Sequence, residues 1–357
     1  MPSRPDRLSA SLLETLTDAA PPYRPIEAPA RLLWRQSRTM LRLLMTAFLL
    51  FAYAEAAEAA EPSLLRVGYQ KNGSLVILRQ QHRLEDAMRV RGVTVQWVEF
   101  QSGPPLLEAM NAGSIDFGAT GDTPPIFAQA AGVDFVYVGS LPVTGRNAAV
   151  LVRAAGPVHS VADLRGRRIA VTKGSSAHYV IVRVLAGAGL SLADVQPIYL
   201  QPADAAAAFR AGSVDAWSIW DPFYALAERD PQTRVLTTAE VAPSNSFFLA
   251  RRALAQHDPD LIVAVMCEVN AAALWSEQNQ SELASTMTEI TGIDVETQRI
   301  AAARGTYHTE FLTDAVVRQQ QAVADTFFGL KVIPIRVDVR AVVWQPPAGT
   351  RLAGAAP

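Results

Sequence analysis

Two similar stretches decide how this sequence is interpreted: GSIDFGATGD at residues 113–122, followed by Thr-Pro-Pro, and GSVDAWSIWD at residues 212–221, followed by Pro-Phe-Tyr. In both, a helical stretch ends on glycine, which commonly terminates a helix. An apolar strand follows, and prolines then open the next helix. Because the Gly-Ser-x-Asp phrase returns at the equivalent place, the sequence predicts an internal repeat built from strand–helix units.

The alternation of strands and helices extends outward from these stretches. Helices are predicted between the strands, for example at 74–84 and 104–113. This pattern favours mostly parallel sheets flanked by helices. The remainder, from about Phe247, reads as mainly helical and carries no third copy. The predicted strands cover residues 64–69, 93–100, 114–120, 135–141, 148–153, 195–200 and 213–220.

Composition excludes several function classes. The 357 residues carry a formal net charge of −2, so the sequence lacks the excess of lysine and arginine that is typical of nucleic-acid-binding proteins. The single cysteine, Cys267, rules out an internal disulfide, and its apolar surroundings predict a buried structural thiol. The scattered histidines show no metal-ligand spacing, and no nucleotide-binding motif is present.

The N-terminal region predicts export. Residues 40–60 combine Arg42, an apolar run at 43–53 and small residues in an A-x-A pattern, as in a secretory signal peptide. The run is far shorter than the ~20 residues of a membrane span. Residues 1–39 are interpreted as a disordered leader or a wrongly assigned start, with translation beginning at Met40. The mature chain is expected to be soluble, without stable membrane insertion.

The loops after the predicted strands suit an anion. Ligands of open α/β sheets bind beyond the carboxyl ends of the strands, where helix N-termini present unpaired N–H groups. Glycines there allow close backbone approach, and hydroxyls add donors. The residues concerned are Gly73, Gly121, Gly174, Ser74, Thr120, Thr123, Ser175 and Ser176.

Acidic residues of the repeats are given structural roles. Asp122 and Asp221 directly precede predicted helices, so we expect both to act as N-caps. Asp116 and Asp215 stand at strand starts, opposite the cleft, where exposed or capping roles are expected.

Three further side chains of the second repeat bear on the site. Trp217 and Trp220 lie three residues apart in a strand and therefore face opposite sides. We expect Trp217 in the core and Trp220 at the ligand. His178 has two interpretations, as a helix-surface residue or as a donor at the cleft edge.

Several long phrases together resemble the aliphatic-sulfonate-binding proteins, which are periplasmic components of ABC importers. They are LRVGYQKNGS (65–74), VEFQSGPPLLEAMNAGSIDFGATGDTPPIFAQAAG (98–132), KGSSAHY (173–179), YLQPADAAAAFRAGSVDAWSIWDPFY (199–224) and VDVRAVVWQP (337–346).

The resemblance implies an α/β type II periplasmic-binding fold, in which two lobes with mostly parallel sheets are joined by two crossing strands. The crossings are expected near Leu151–Arg153 and Phe247–Ala250. Lobe 1 would then combine residues 64–152 with 249–346, lobe 2 would be 153–248, and 347–357 would form a tail.

The resemblance also implies the ligand contacts, with Asp122 acting through its backbone N–H. Ser246 lies in SNSFF, where similar proteins often have Thr-Gly-Ser-Phe-Tyr, so the tail pocket is expected to differ. The implied ligand-binding residues are Gln70, Thr120, Gly121, Asp122, Ser175, Ser176, His178, Trp220 and Ser246.

The function implied is capture of an aliphatic sulfonate by lobe closure and its delivery to an ABC permease and ATPase for sulfur acquisition. A periplasmic monomer without metal or cofactor, and without enzyme activity, is expected. Three alternatives remain: a binder of taurine, nitrate or another small anion; a cleft enzyme of the same fold using Lys71 or Lys173; and a sensor coupled to chemoreceptors.

Overall fold

Two five-stranded sheets of identical topology organise the chain. The structure is a computed structural model that describes residues 63–241 and 244–352, so the predicted leader and signal peptide lie outside the described residues. The strands are β1 (Ser63–Tyr69), β2 (Val93–Glu99), β3 (Phe117–Thr120), β4 (Phe135–Val143), β5 (Ala148–Arg153), β6 (Arg168–Val171), β7 (Gln196–Tyr199), β8 (Ala216–Trp220), β9 (Thr233–Thr238) and β10 (Ser244–Arg251).

Helices follow the strands and cover the sheets, as the alternating pattern predicted. After β10 the chain is mainly helical, which also agrees with the sequence. The α-helices are α1 (Gly73–Gln80), α2 (Arg83–Arg89), α3 (Gly103–Asn111), α4 (Thr123–Ala130), α5 (Ser176–Gly187), α6 (Pro202–Arg210), α7 (Phe223–Glu228), α8 (Arg252–His257), α9 (Pro259–Gln278), α10 (Gln280–Thr291), α11 (Val295–Arg304) and α12 (Asp314–Gly329).

The two sheets repeat each other strand for strand. The first has the order β2-β1-β3-β10-β4 and the second β7-β6-β8-β5-β9. In each sheet the first three strands pair in parallel. The fourth, β10 or β5, is antiparallel to both neighbours. Four strands of each sheet therefore run in one direction, which confirms the prediction of two lobes with mostly parallel sheets.

The chain passes between the sheets earlier than predicted. β5 belongs to the second sheet from Ala148 onward, and β10 belongs to the first sheet from Ser244 onward. The connections therefore lie between Val143 and Ala148 and between Thr238 and Ser244, not within 151–153 and 247–250. The two connections touch, because a Cβ atom added to Gly145 would lie 2.5 Å from the carbonyl oxygen of Ala239.

Helix α9 is the central helix of the first lobe's core. It is long and apolar enough to cross a membrane by length and composition alone, and half of its apolar stretch is buried. Ile262, Val265 and Met266 are fully buried and pack with residues of α1 and β1. The neighbouring Cys267 is exposed. The prediction of a buried thiol was therefore wrong, because this residue lies on the outer face of the helix.

Asp116 is buried in an ionic cluster at the start of the first sheet. Its carboxylate accepts hydrogen bonds from the backbone N–H of Arg66 at 3.0 Å and from the Arg66 guanidinium at 2.9 and 2.8 Å. Arg251 adds a third ion-pair contact at 3.1 Å. The expectation of an exposed or capping role was wrong, since this carboxylate ties β1, β3 and β10 together.

Asp215 repeats this arrangement in the second sheet. It accepts from the Arg168 backbone N–H at 2.9 Å and from the Arg168 guanidinium at 3.2 Å. Arg153 lies 3.8 Å away, in the place that Arg251 occupies in the first lobe. The expected exposed or capping role was wrong here too. The aspartate shared by the two repeats is thus a structural anchor at the strand starts.

Candidate functional site

A cavity of about 260 Å³ lies between the two sheets, at the carboxyl ends of their strands. Both lobes contribute to its wall. The first supplies Thr120 and Gly121 at the end of β3, and the second supplies Ser175 and Ser176 at the start of α5. This is the position at which ligands of open α/β sheets bind.

Helix N-termini face this region from both lobes. Helix α1 begins at Gly73 and α5 at Ser176, and both residues line the cavity. Gly73 and Gly174 have φ values of +75° and +71°, which other residues rarely adopt. The first N–H groups of a helix have no partner within the helix and carry partial positive charge. The loops thus present backbone donors suited to an anion.

Most of the residues implied by the resemblance are brought together here. Asp122 and His178 are near the cavity but do not line it. The implied residues on the cavity wall are Gln70, Thr120, Gly121, Ser175, Ser176, Trp220 and Ser246.

Some of the hydroxyls already have acceptors within the protein. Thr120 Oγ1 donates to the Gly121 carbonyl at 3.0 Å, and Ser175 Oγ donates to the Thr172 carbonyl at 2.7 Å. Gln70 Nε2 donates to the Ala119 carbonyl at 3.1 Å. Three other hydroxyls on the wall hold no such bond to the described residues, namely those of Ser74, Ser176 and Ser246.

The two lobes meet at Gly121. An added Cβ atom there would lie only 1.9 Å from Ser176 Oγ. A side chain at this point would require Ser176 to move or the lobes to separate, so glycine permits their close approach. A second contact between the lobes joins Ser102 Oγ to Gln201 Oε1 at 2.9 Å. The described state is therefore one in which the lobes are in contact around the cavity.

Asp122 and Asp221 differ as helix caps. The Asp122 carboxylate makes no capping hydrogen bond to its helix and accepts instead from Thr123 Oγ1 at 3.0 Å. The predicted cap was therefore wrong for Asp122, whose backbone is already helical. Asp221 does accept the backbone N–H of Ala225, at 2.9 Å.

His178 is fully buried rather than on a helix surface. Its Nδ1 accepts the Gly174 N–H at 3.2 Å, and its ring contacts Phe127 and Phe327 of the first lobe. Burial, helped by the charge of Lys173, lowers the pKa of His178 to about 4. The surface interpretation was wrong. The neutral ring supports the Gly174 loop from behind the cavity.

Charged side chains are almost absent from the cavity wall. Of the described residues that line it, Asp221 alone carries a carboxylate, and no lysine, arginine, histidine or cysteine is among them. Burial raises the pKa of Asp221 to about 7, although Arg304 opposes this shift. The site therefore offers neutral N–H and O–H donors to an anion rather than a counter-charge.

The tryptophans take the two predicted positions. Trp217 is buried and packs against Phe209, with ring centroids 5.9 Å apart. Trp220 lines the cavity. This division follows from the strand periodicity of two, since the residues are three apart.

Sequence reasoning missed two groups of lining residues. The amides Asn72, Asn147 and Asn245 add polar groups to the wall. The C-terminal helices add apolar side chains, including Leu283 and Met287 of α10. Asn72 could have been found from its place in the KNGS loop. The helical residues carry no local motif, so no signal in the sequence marked them.

Comparison with known proteins identifies the family. A model described as "NMT1/THI5 like" matches residues 89–308. An Escherichia coli K12 protein named for binding aliphatic sulfonates is 38% identical over 87% of this chain and 97% of its own length.

Two solved structures agree with this match. The alkanesulfonate-binding protein SsuA from Xanthomonas axonopodis pv. citri, bound to MOPS, is 43% identical, with a TM-score of 0.76 over 80% of this chain and 99% of that one. The periplasmic aliphatic sulphonate binding protein SsuA from Escherichia coli is 38% identical, with a TM-score of 0.72 over 83% and 97%. The chain therefore belongs to the NMT1/THI5-like family, among the aliphatic-sulfonate-binding proteins, and has their periplasmic-binding fold.

Proposed function

We propose that this protein is a periplasmic substrate-binding protein that captures aliphatic sulfonates by lobe closure and delivers them to an ABC importer for sulfur acquisition. The observation that carries the proposal is the cavity itself. Its wall combines neutral donors from both lobes, such as Gly121 and Ser176, with a larger apolar surface.

The chemistry of a sulfonate suits this wall. A sulfonate is ionised at every biological pH and has three oxygens that only accept hydrogen bonds. Helix N-termini and hydroxyls supply donors for such an anion without a buried lysine or arginine. The donors around Gly121 and Ser176 lie on opposite lobes, so one sulfonate group can bind both. The apolar surface then accepts the carbon tail.

Closure follows from the same arrangement. A ligand favours a closed state only to the extent that it binds that state more tightly. A sulfonate bridging Gly121 of the first lobe and Ser176 of the second has this differential affinity. The closed lobes would be the form recognised by the permease. The periplasmic location is part of the proposal and is supported by the periplasmic relative from Escherichia coli. The monomeric state is part of the proposal as well.

The enzyme alternative required a reactive side chain in the cleft. The two lysines considered for it lie elsewhere. Lys71 pairs with Glu99 at 3.3 Å, and Lys173 lies over the Tyr199 ring at 5.5 Å. Neither residue lines the cavity.

Isothermal titration calorimetry tests the proposal. The mature chain, residues 61–357, is refolded to remove carried-over ligand and titrated with methane-, butane- and octanesulfonate, taurine, sulfate and nitrate. We expect binding of alkanesulfonates with affinity rising from methane- to butanesulfonate. Binding of nitrate or sulfate alone would show that the apolar wall plays no part in recognition and would overturn the proposed ligand class.

A further inference from the structure

One end of the cavity is apolar and is formed largely by the C-terminal helices, which lie outside the internal repeat of the sequence. Beyond the donors, it continues between α1 and the C-terminal helices α9, α10 and α11. Leu75, Phe248, Leu283 and Met287 line this part, which we name the tail chamber. Each of these side chains is otherwise buried, with at most 8% exposed. The C-terminal helices thus form the walls of a second compartment behind the anion donors.

An open groove of about 510 Å³ adjoins the cavity. The groove is lined by polar residues, among them Glu277, Gln280 and Arg299. The cavity and the groove share three lining residues, Ala302, Gly305 and Tyr307. These three residues are therefore the partition between the chamber and the exterior.

Tyr307 is held firmly in this partition. Its hydroxyl donates to the Ala302 carbonyl at 2.9 Å, and burial raises its pKa above the usual value, so the proton stays in place. A Cβ atom added to Gly305 would lie 2.6 Å from Tyr307 Oη. Glycine at position 305 thus makes room for the tyrosine against the end of α11.

We propose that Tyr307 is the end wall of the tail chamber and sets the longest unbranched alkanesulfonate that the protein binds well. The inference rests on the proposed function and names a ligand class for it. These ligands are alkanesulfonates whose carbon chain is long enough to extend from the anion donors into the tail chamber of lobe 1. A chain shorter than the chamber gains affinity with every methylene buried, about fourfold for each. A longer chain must fold back or displace Tyr307.

The test is a calorimetric series of butane-, hexane-, octane- and decanesulfonate, kept below micelle formation, with the wild type, Tyr307→Ala and Tyr307→Phe. For the wild type we expect affinity to rise with chain length up to a limiting length, which we call the break, and then to level off or fall. Tyr307→Ala should move this break to longer chains by about two methylenes, so that its decane-to-butane affinity ratio exceeds the wild-type ratio by at least about tenfold. Tyr307→Phe keeps the ring and should keep the wild-type break.

A second variant guards against misfolding of Tyr307→Ala. Ala301→Leu fills the chamber from α11 and should move the break to shorter chains. With butanesulfonate still bound, an unchanged break in Tyr307→Ala, or in Ala301→Leu if Tyr307→Ala does not fold, would overturn the inference alone. Failure of the wild type to bind any alkanesulfonate would instead overturn the proposed function.

Discussion

Arg304 Nη1 lies 3.4 Å from Asp221 Oδ1, which joins helix α11 of the C-terminal segment to the end of strand β8 in the second lobe. The same guanidinium pairs with Glu228 and stacks on the Tyr224 ring, 4.1 Å from its centroid. The other carboxylate oxygen of Asp221 is buried without a hydrogen-bond partner. The acid at the cavity wall is thus only partly compensated.

The first prediction concerns the dependence of stability on pH. Burial raises the pKa of Asp221 to about 7 in the folded protein, whereas the unfolded chain releases this proton near 3.8. Between these values the folded state holds more protons, so the free energy of unfolding falls as the pH rises, and the loss is complete above pH 7. Asp221→Asn should therefore show a flatter profile and gain stability relative to the wild type at pH 8.

Thermal unfolding from pH 4.5 to 8.5 measures this difference. Asp204→Asn, at an exposed site on α6, is the matched control and should keep the wild-type slope. Equal slopes for Asp221→Asn and the wild type would show that Asp221 is ionised in the fold throughout this range.

Gly121→Ala should prevent full closure. Its Cβ would lie 1.9 Å from Ser176 Oγ, so the lobes must stay apart or Ser176 must move. We expect sulfonate affinity to fall by at least about tenfold, since about 1.4 kcal/mol of lost closure energy suffices. Small-angle scattering should show less compaction on adding ligand. Gly187→Ala, on α5 with no atom near its added Cβ, is the control and should bind like the wild type.

Thr120→Val should weaken sulfonate binding by about 1–3 kcal/mol, because a charged acceptor loses a donor. The Thr120 hydroxyl now donates to the Gly121 carbonyl and can turn toward an anion, to which hydrogen bonds are stronger. Thr120→Ser retains the hydroxyl and should lose much less. An unchanged dissociation constant for Thr120→Val, measured by calorimetry, would remove this residue from the ligand contacts.

Asp116→Asn should destabilise the fold by about 3 kcal/mol, because it leaves Arg66 and Arg251 without their buried carboxylate. Asp215→Asn should cost less, about 1–2 kcal/mol, since its carboxylate is more exposed. Urea unfolding measures both. Neither residue lines the cavity, so sulfonate affinity of the folded variants should not change. Equal costs would contradict the role of burial.

The repeat made the fold predictable. Glycines and prolines between the apolar segments indicated the alternation of strands and helices. The two matching phrases correctly predicted two lobes of the same topology. The strands β3 and β8 begin three residues later than predicted, at Phe117 and Ala216, rather than at 114 and 213. The aspartates just before them bind arginines of the neighbouring strands, which hydrophobic periodicity does not register.

The features of the site that could not be predicted from the sequence depend on contacts between distant segments. His178 looks polar and exposed in its local context, yet Phe127 and Phe327 from the first lobe enclose it. The same holds for Leu283 and Met287, whose helical pattern shows an apolar face but not what that face encloses. Periodicity identifies the side of a helix that is covered, whereas only the tertiary structure shows that part of the cover is a cavity.

The contact between Gly145 and Ala239 has a consequence for how a ligand enters and leaves. The two chain connections lie side by side, so we expect them to act together as one hinge. A body joined at two neighbouring short links can rotate about the line through them but cannot slide or twist freely. We therefore expect opening to be mainly a rotation about this line. A single distance between two spectroscopic labels, one on each lobe, would then suffice to follow opening. Substitutions at this hinge should alter the rates of ligand capture and release together.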